Sequence, residues 1–223
     1  MSVLYRFLLL SFLWLMTTSA FAEAANLSTT QVRYASLYRA LEPGLIISGF
    51  DRLLARQRIV SRSADVLPSQ IEVRILTKAG VIVVKVASDG TVNFPMTKVL
   101  LDENPVVESN QAKGSLSLSA TMEIKLEKNK VVPYADLYES AMQAQTALTL
   151  LGASMSGRSV RSIEFEFDRS LGARAELSDS KADELIVADP NGLLILRIDS
   201  ALAKRNAHVT FSDIPIAARL HID

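Results

Sequence analysis

The pattern Tyr-Ala-x-Leu-Tyr occurs twice, as YASLY at 34–38 and YADLY at 134–138, and the two copies hold four of the five tyrosines of the chain: Tyr34, Tyr38, Tyr134 and Tyr138. The correspondence continues downstream. Arg58 and Val60 are echoed by Arg158 and Val160, and Val86-Ala87 leads to Gly90 as Val187-Ala188 leads to Gly192. From each glycine the match then runs without a gap, Val92, Phe94, Met96, Leu100, Asn104 and Val107 against Leu194, Leu196, Ile198, Leu202, Asn206 and Val209. Self-similarity over such a distance is the mark of a repeated structural unit.

Each unit opens on a helical pattern. Ser28 and Gln31 fit a capping box ahead of the first helix, and Pro43-Gly44 would stop it. In the second, Pro133 suits the first turn, Asp136 and Glu139 favour the positive end of the helix dipole, and Gly152 offers a left-handed cap. Tyr134, Leu137, Tyr138, Ala141, Gln145 and Leu148 recur at helical spacing. Tyrosine pairs on such a face bury their rings and reach an edge with their hydroxyls; the sharper alternative is a platform that stacks on sugar rings.

After each helix the period becomes two. Ile71, Val73 and Ile75 alternate with Glu72 and Arg74; Leu116, Leu118, Met122, Ile124 and Leu126 with Ser115, Ser117, Thr121, Glu123 and Lys125. Ile163, Phe165 and Phe167 alternate with Glu164, Glu166 and Asp168, and Leu220 and Ile222 with Arg219 and His221. Such alternation predicts antiparallel sheets wet on one face, with SDG at 88–90 and DPNG at 189–192 as hairpin turns. The expected fold class is therefore α+β: two tandem duplicated units, 23–126 and 127–223, each one helix packed on a small antiparallel sheet or sandwich of about five strands. KLEKNKVV at 125–132 joins them, mostly as strand end, so that the halves pack tightly.

The first 22 residues read as a signal peptide. Arg6 precedes an apolar run from Phe7 to Met16, too short for the roughly 20 residues of a spanning helix, and Ala20-Phe21-Ala22 supplies a cleavage site. With no cysteine in the chain, neither a lipid anchor nor a disulfide is available, and export to the periplasm or outside the cell follows, with no integral membrane segment left after cleavage. Transmembrane barrels alternate too, but the two helices and an aromatic content of 6% argue against one. Lys and Arg number 24 against 24 Asp and Glu, without the basic excess of a nucleic-acid binder.

Catalytic signatures are sparse. GASMSG at 152–157 carries Ser156 where a nucleophile elbow needs glycine, and Ser178-x-x-Lys181 lacks its K-T-G partner. Two histidines, His208 and His221, and no cysteine cannot supply a zinc set. Asp179, Asp183 and Glu184 lack the spacing of a calcium loop, and no cofactor-binding glycine pattern occurs. Glu164, Glu166 and Asp168 would project to one strand face about 7 Å apart, a separation that suits paired-carboxylate glycoside chemistry. Guanidinium groups grip phosphate or carboxylate bidentately, which makes Arg58 and Arg62 in the first unit, with Arg158 and Arg161 in the second, the candidate ligand-binding residues, beside Arg52 and Arg56. The expected function is an exported, soluble, non-catalytic binding or structural protein of the bacterial envelope. Its partner would be a protein or an envelope glycan, met at the junction of the halves, without cofactor or metal. The alternative is an envelope glycan hydrolase using the strand carboxylates.

Overall fold

In the computed structural model, residues 29–152, 157–179 and 183–222 are described. The signal peptide and most of GASMSG, together with Lys181, lie outside them. The described residues form a mixed α+β fold in which strands predominate, with fourteen strands and four α-helices. The order is β1 (Thr29–Arg33), α1 (Tyr34–Ser48), β2 (Leu53–Ser61), β3 (Val73–Thr77), β4 (Gly80–Val84), β5 (Thr91–Val92), α2 (Lys98–Glu103), β6 (Val106–Ala112) and β7 (Leu116–Ile124). It continues with β8 (Val131–Pro133), α3 (Tyr134–Leu150), β9 (Val160–Glu166), β10 (Arg174–Ser178), β11 (Asp183–Val187), β12 (Leu193–Arg197), α4 (Ser200–Lys204), β13 (His208–Phe211) and β14 (Ala217–Ile222). Each half thus runs β-α-β-β-β-β-α-β-β, with seven strands where about five are expected. The additional ones are short strands such as β5 and β8, too brief for a two-residue period to show.

Three sheets result, antiparallel at every pairing. One has the order β1-β6-β3-β4, a second β11-β10-β13-β8, and a third, six strands wide, β12-β9-β14-β7-β2-β5. The third is shared by the halves, since β14 pairs with β7 where Arg219 meets Glu123. SDG and DPNG do make tight turns, closed by the Ala87 N–H on the Thr91 carbonyl and the Asp189 N–H on the Leu193 carbonyl, both at 2.8–2.9 Å. SDG closes a short hairpin, Val86 bridging Val92 antiparallel, but both turns also serve as corners, since β4 and β11 belong to the four-stranded sheets and β5 and β12 to the six-stranded one. Gly192 has φ of +78°, and a Cβ there would stand 2.5 Å from the Phe167 carbonyl oxygen, so no other residue fits that corner without a shift.

The first helix differs from its expected start and stop. Thr29–Arg33 is strand β1, paired with β6, so Gln31 is no capping residue. β-branched Thr29, Thr30 and Val32 suit a strand, and the helix is capped from afar, its Ala35 N–H donating to Asn104 Oδ1 at 3.0 Å. Asn104 sits at positive φ. Pro43 lies inside α1, on its exposed side, where the helix continues past the N–H that proline lacks. Gly44 is buried, and a Cβ on it would come to 3.4 Å from Ala55 Cβ; the glycine seats α1 on β2 rather than ending it.

Two apolar clusters fill the interior. Tyr34, Leu41, Ile59, Ile75, Val92, Phe94 and Val107 belong to the first. The second gathers α3, β9, β12, β13 and β14, and also takes in Ile47, Leu53, Met122 and Ile124 from the first half. The expectation that the halves pack tightly is met in this shared core. Tyr34 and Tyr134 are fully buried. The Tyr34 hydroxyl donates to the Pro95 carbonyl and accepts from the Thr97 N–H; the Tyr134 hydroxyl donates to the Arg197 carbonyl and accepts from the Asp199 N–H, each at 2.7 Å. Each ring therefore ties the start of a long helix to the loop before a short one, which is core packing and not a sugar platform.

Burial pushes both hydroxyls above their ordinary range. The native state then holds protons that the unfolded chain releases above the usual value of 10.0, so this contribution to stability is intact below that pH and lost as pH rises beyond it. Tyr134→Phe is expected to cost about 1–3 kcal/mol at neutral pH, through the carbonyl and N–H it orphans, and to lessen the alkaline decline. Urea unfolding across pH measures both; an unchanged alkaline decline in the variant would contradict the account.

Candidate functional site

The six-stranded sheet turns Leu53, Ile59, Met122, Ile124, Ile163, Phe165 and Leu220 inward, as their alternation requires. Its other face carries the charges. One row crosses five strands through directly opposed residues: Ile195 with Glu164, Glu164 with Arg219, Arg219 with Glu123, and Glu123 with Leu54. Acid, base and acid occupy the three central strands, between apolar ends. Opposite charges directly across strands attract.

Glu123 is the unexpected member. Alternation places it on the wet face, yet its residue is 1% exposed. Arg56 Nε donates to its Oε2 at 2.7 Å, and Arg219 Nε stands 3.9 Å from its Oε1, an oxygen that takes no hydrogen bond. Arg219 also reaches Glu164 at 3.6 Å and hydrogen-bonds Glu166. The guanidinium groups of Arg56 and Arg219, with their neighbours' side chains, roof the carboxylate over. Nothing local in the sequence announces this, because its partners come from β2 and β14.

The acidic ladder of β9 is thereby accounted for. One guanidinium holds both Glu164 and Glu166, and Glu123, the third acid of the group, stands on the same sheet face, so these three carboxylates do not oppose one another across a cleft. Asp168 instead turns to the following loop, where hydrogen bonds from Ser170 hold its carboxyl below the usual range.

The predicted arginines take separate places. Arg58 points outward on β2, 3.8 Å from Asp89, whose carboxyl is lowered chiefly by hydrogen bonds from Thr91. Arg62, Arg158 and Arg161 are exposed. Arg58 and Arg161 lie on β2 and β9, with β7 and β14 between them, roughly 14 Å apart at normal strand spacing. The sequence pairing of Arg58 with Arg158 shifts in three dimensions. Arg58 faces Thr91 of β5, the place that Glu166 holds against Leu193 of β12, while Arg158 precedes β9. Of the same arginine run, Arg56 serves the buried cluster and Arg52 the junction between the halves. Arg52 Nη2 bridges Asp136 at 3.1 Å and Glu139 at 2.9 Å on α3.

At that junction a groove of about 300 Å³ opens beneath the 125–130 connection, lined by Asp51, Arg52, Lys125, Glu127, Asn129, Val131 and Asp136 among others. Gln143 Nε2 donates to Asp51 at 2.6 Å, and Gln143 Oε1 accepts from the Arg52 N–H. Asp51 is lowered first by that Gln143 bond. These polar groups are committed to one another, which makes the groove a seam between halves. His208 and His221 are exposed on β13 and β14, and the described residues contain no group of three or more His, Asp or Glu that could hold a metal. Asp179 is bound by Arg205 at 3.1 Å.

Two sheet edges are open and apolar. β4 is the last strand of its sheet and exposes Val81, Ile82 and Val83, the last at 63%; β11 is the last of another and exposes Leu185 and Val187 at 62% and 63%. Val81–Val84 is an unbroken apolar run, the pattern of a strand buried on both faces, and only the structure shows Val81, Ile82 and Val83 to be exposed.

These features define a mixed α+β protein of three antiparallel sheets, with an ion-paired sheet face and open strand edges; no helix among the described residues is long and apolar enough to cross a membrane. Compared with known proteins, the chain matches no family model, no curated protein and no solved structure.

Glu123→Ala strips the buried partner from Arg56 and is expected to cost about 3 kcal/mol, whereas Glu123→Gln, which keeps an acceptor, costs less. Urea denaturation of both variants measures this. A loss in the alanine variant no greater than a surface change, about 0.5 kcal/mol, would show the cluster to be energetically idle.

Proposed function

We propose that this is an exported, non-catalytic binding or structural protein of the bacterial envelope, built by duplication of one unit and recognising a protein partner by strand addition. The duplication is supported by the sequence repeat, the identical element order of the halves, and the matching orders β1-β6-β3-β4 and β8-β13-β10-β11. Export rests on the amino-terminal segment.

The observation that carries the binding role is the β4 edge. Sheet edges are usually blunted by charge, proline or a bulge, yet GVIVV has no charged residue or proline and pairs with β3 in unbroken register. An unprotected edge of that kind suits an added strand, whose main chain supplies hydrogen bonds while alternate side chains supply selectivity. The buried tyrosines and the ion-paired carboxylates favour a protein partner over a glycan, and binding over hydrolysis.

A photo-crosslinking side chain at Val83, introduced into the protein in its native compartment, is expected to give covalent protein adducts. The same group at Val99, exposed on α2, is the control. Equal yields at the two positions, or none at Val83, would contradict strand addition.

A further inference from the structure

β4 and β11 are both open edges, and their flanks carry opposite charge. β4 lies between Lys78 and Lys85; β11 begins with Asp183 and Glu184 and is followed by Asp189. All five charged residues are exposed. Pairing β4 with the β4 of a second copy would bring lysine ends together, and pairing β11 with β11 would crowd acids. Pairing β4 with β11 does neither.

We propose that the partner of β4 is a second copy of this chain, which adds its β11 edge antiparallel to β4. This rests on the reading of β4 as a recognition edge. The faces fix a register. Ile82 and Val84 oppose the buried Ile75 and Val73 within their sheet, and Ile186 and Glu184 oppose the buried Ala175 and Leu177 in theirs. Val81, Val83, Leu185 and Val187 therefore point to the outer side. A joined sheet with continuous faces sets Val81 against Val187, Ile82 against Ile186, Val83 against Leu185, Val84 against Glu184 and Lys85 against Asp183, with Ala79, beside Lys78, against Asp189. Apolar meets apolar at three successive pairs, and a cation faces an anion at one end.

The contact is heterologous: each copy offers one β4 and one β11, on different sheets. It therefore closes into a ring, two-membered if the rotation between copies is a half-turn, or extends as a filament. The uncharged strand between charged flanks fits this arrangement, because the flanks choose which edge is met.

Sedimentation and light scattering of the purified protein over a concentration series test this. The expected result is association that grows with concentration. Lys85→Glu and Asp183→Lys should each weaken it roughly tenfold, by setting like charges opposite. The double variant Lys85→Glu/Asp183→Lys should restore it, as should mixing the two single variants, since either way every contact again joins unlike charges. Circular dichroism verifies folding, which substitution at these exposed positions leaves intact. A monomer at all concentrations, or association indifferent to both reversals, would overturn the proposal. Adducts at Val83 that contain a different protein would overturn it while leaving β4 as a recognition edge; no adducts at all would remove the edge reading itself.

Discussion

Everything in this fold hangs on the meeting of β7 and β14. Their pairing is short, set at Arg219 and Glu123, but it turns two three-stranded pieces into one six-stranded sheet. A helix and a small sheet alone have little to bury, and this chain has no disulfide to help. Joining the pieces lets Ile47, Leu53, Met122 and Ile124 of the first half enter the same apolar cluster as α3 and β9. The ion pairs on the outer face sit over that seam. Desolvating Glu123 is costly unless its charge is met, and Arg56 from the first half and Arg219 from the second meet it. The electrostatic link is therefore also a registration device, since a slip of one residue would turn every side chain of the row to the other face.

Polar satisfaction elsewhere follows the same logic of remote partners. α1 takes its cap from Asn104, and Tyr34 and Tyr134 tie long helices to the loops ahead of short ones. Arg52 reaches from the first half to Asp136 and Glu139 on α3. Such contacts link residues distant in sequence, and they leave most of the conspicuous charges occupied with structure. At the sheet ends, by contrast, β4 and β11 present exposed apolar side chains and strand edges without a neighbour in their sheets.

Much of this was legible in the amino-acid order, for an identifiable reason. Side-chain alternation reports which face of a strand is buried, so Ile163, Phe165 and Leu220 could be placed inward directly. The tyrosine pairs, read with the helical spacing of α3, pointed to core packing, where Tyr134 lies. The start of α1 was not legible, because Ser28 and Gln31 satisfy a local capping pattern while β1 is decided by pairing with β6, more than seventy residues away. Pro43-Gly44 resembles a stop signal, but exposure of Pro43 and contact of Gly44 with Ala55 let the helix continue. Glu123 was assigned to water by a correct alternation; only its neighbours from other strands bury it. The predicted arginines were chosen by proximity in sequence, and β7 and β14 intervene between Arg58 and Arg161.

With one shared sheet and one shared core, the halves should form a single cooperative body. Native-state hydrogen exchange tests it directly, by following amides of Met122 and Ile124 in β7, Ile163 and Phe165 in β9, and Ile75 in the first four-stranded sheet. A single unit predicts that the β7 and β9 amides exchange only through global unfolding, with a common free energy that falls by the same amount in Glu123→Ala. Exchange of β7 at a markedly lower free energy than β9, with the β9 value untouched by that substitution, would show that the halves unfold independently and would contradict the account.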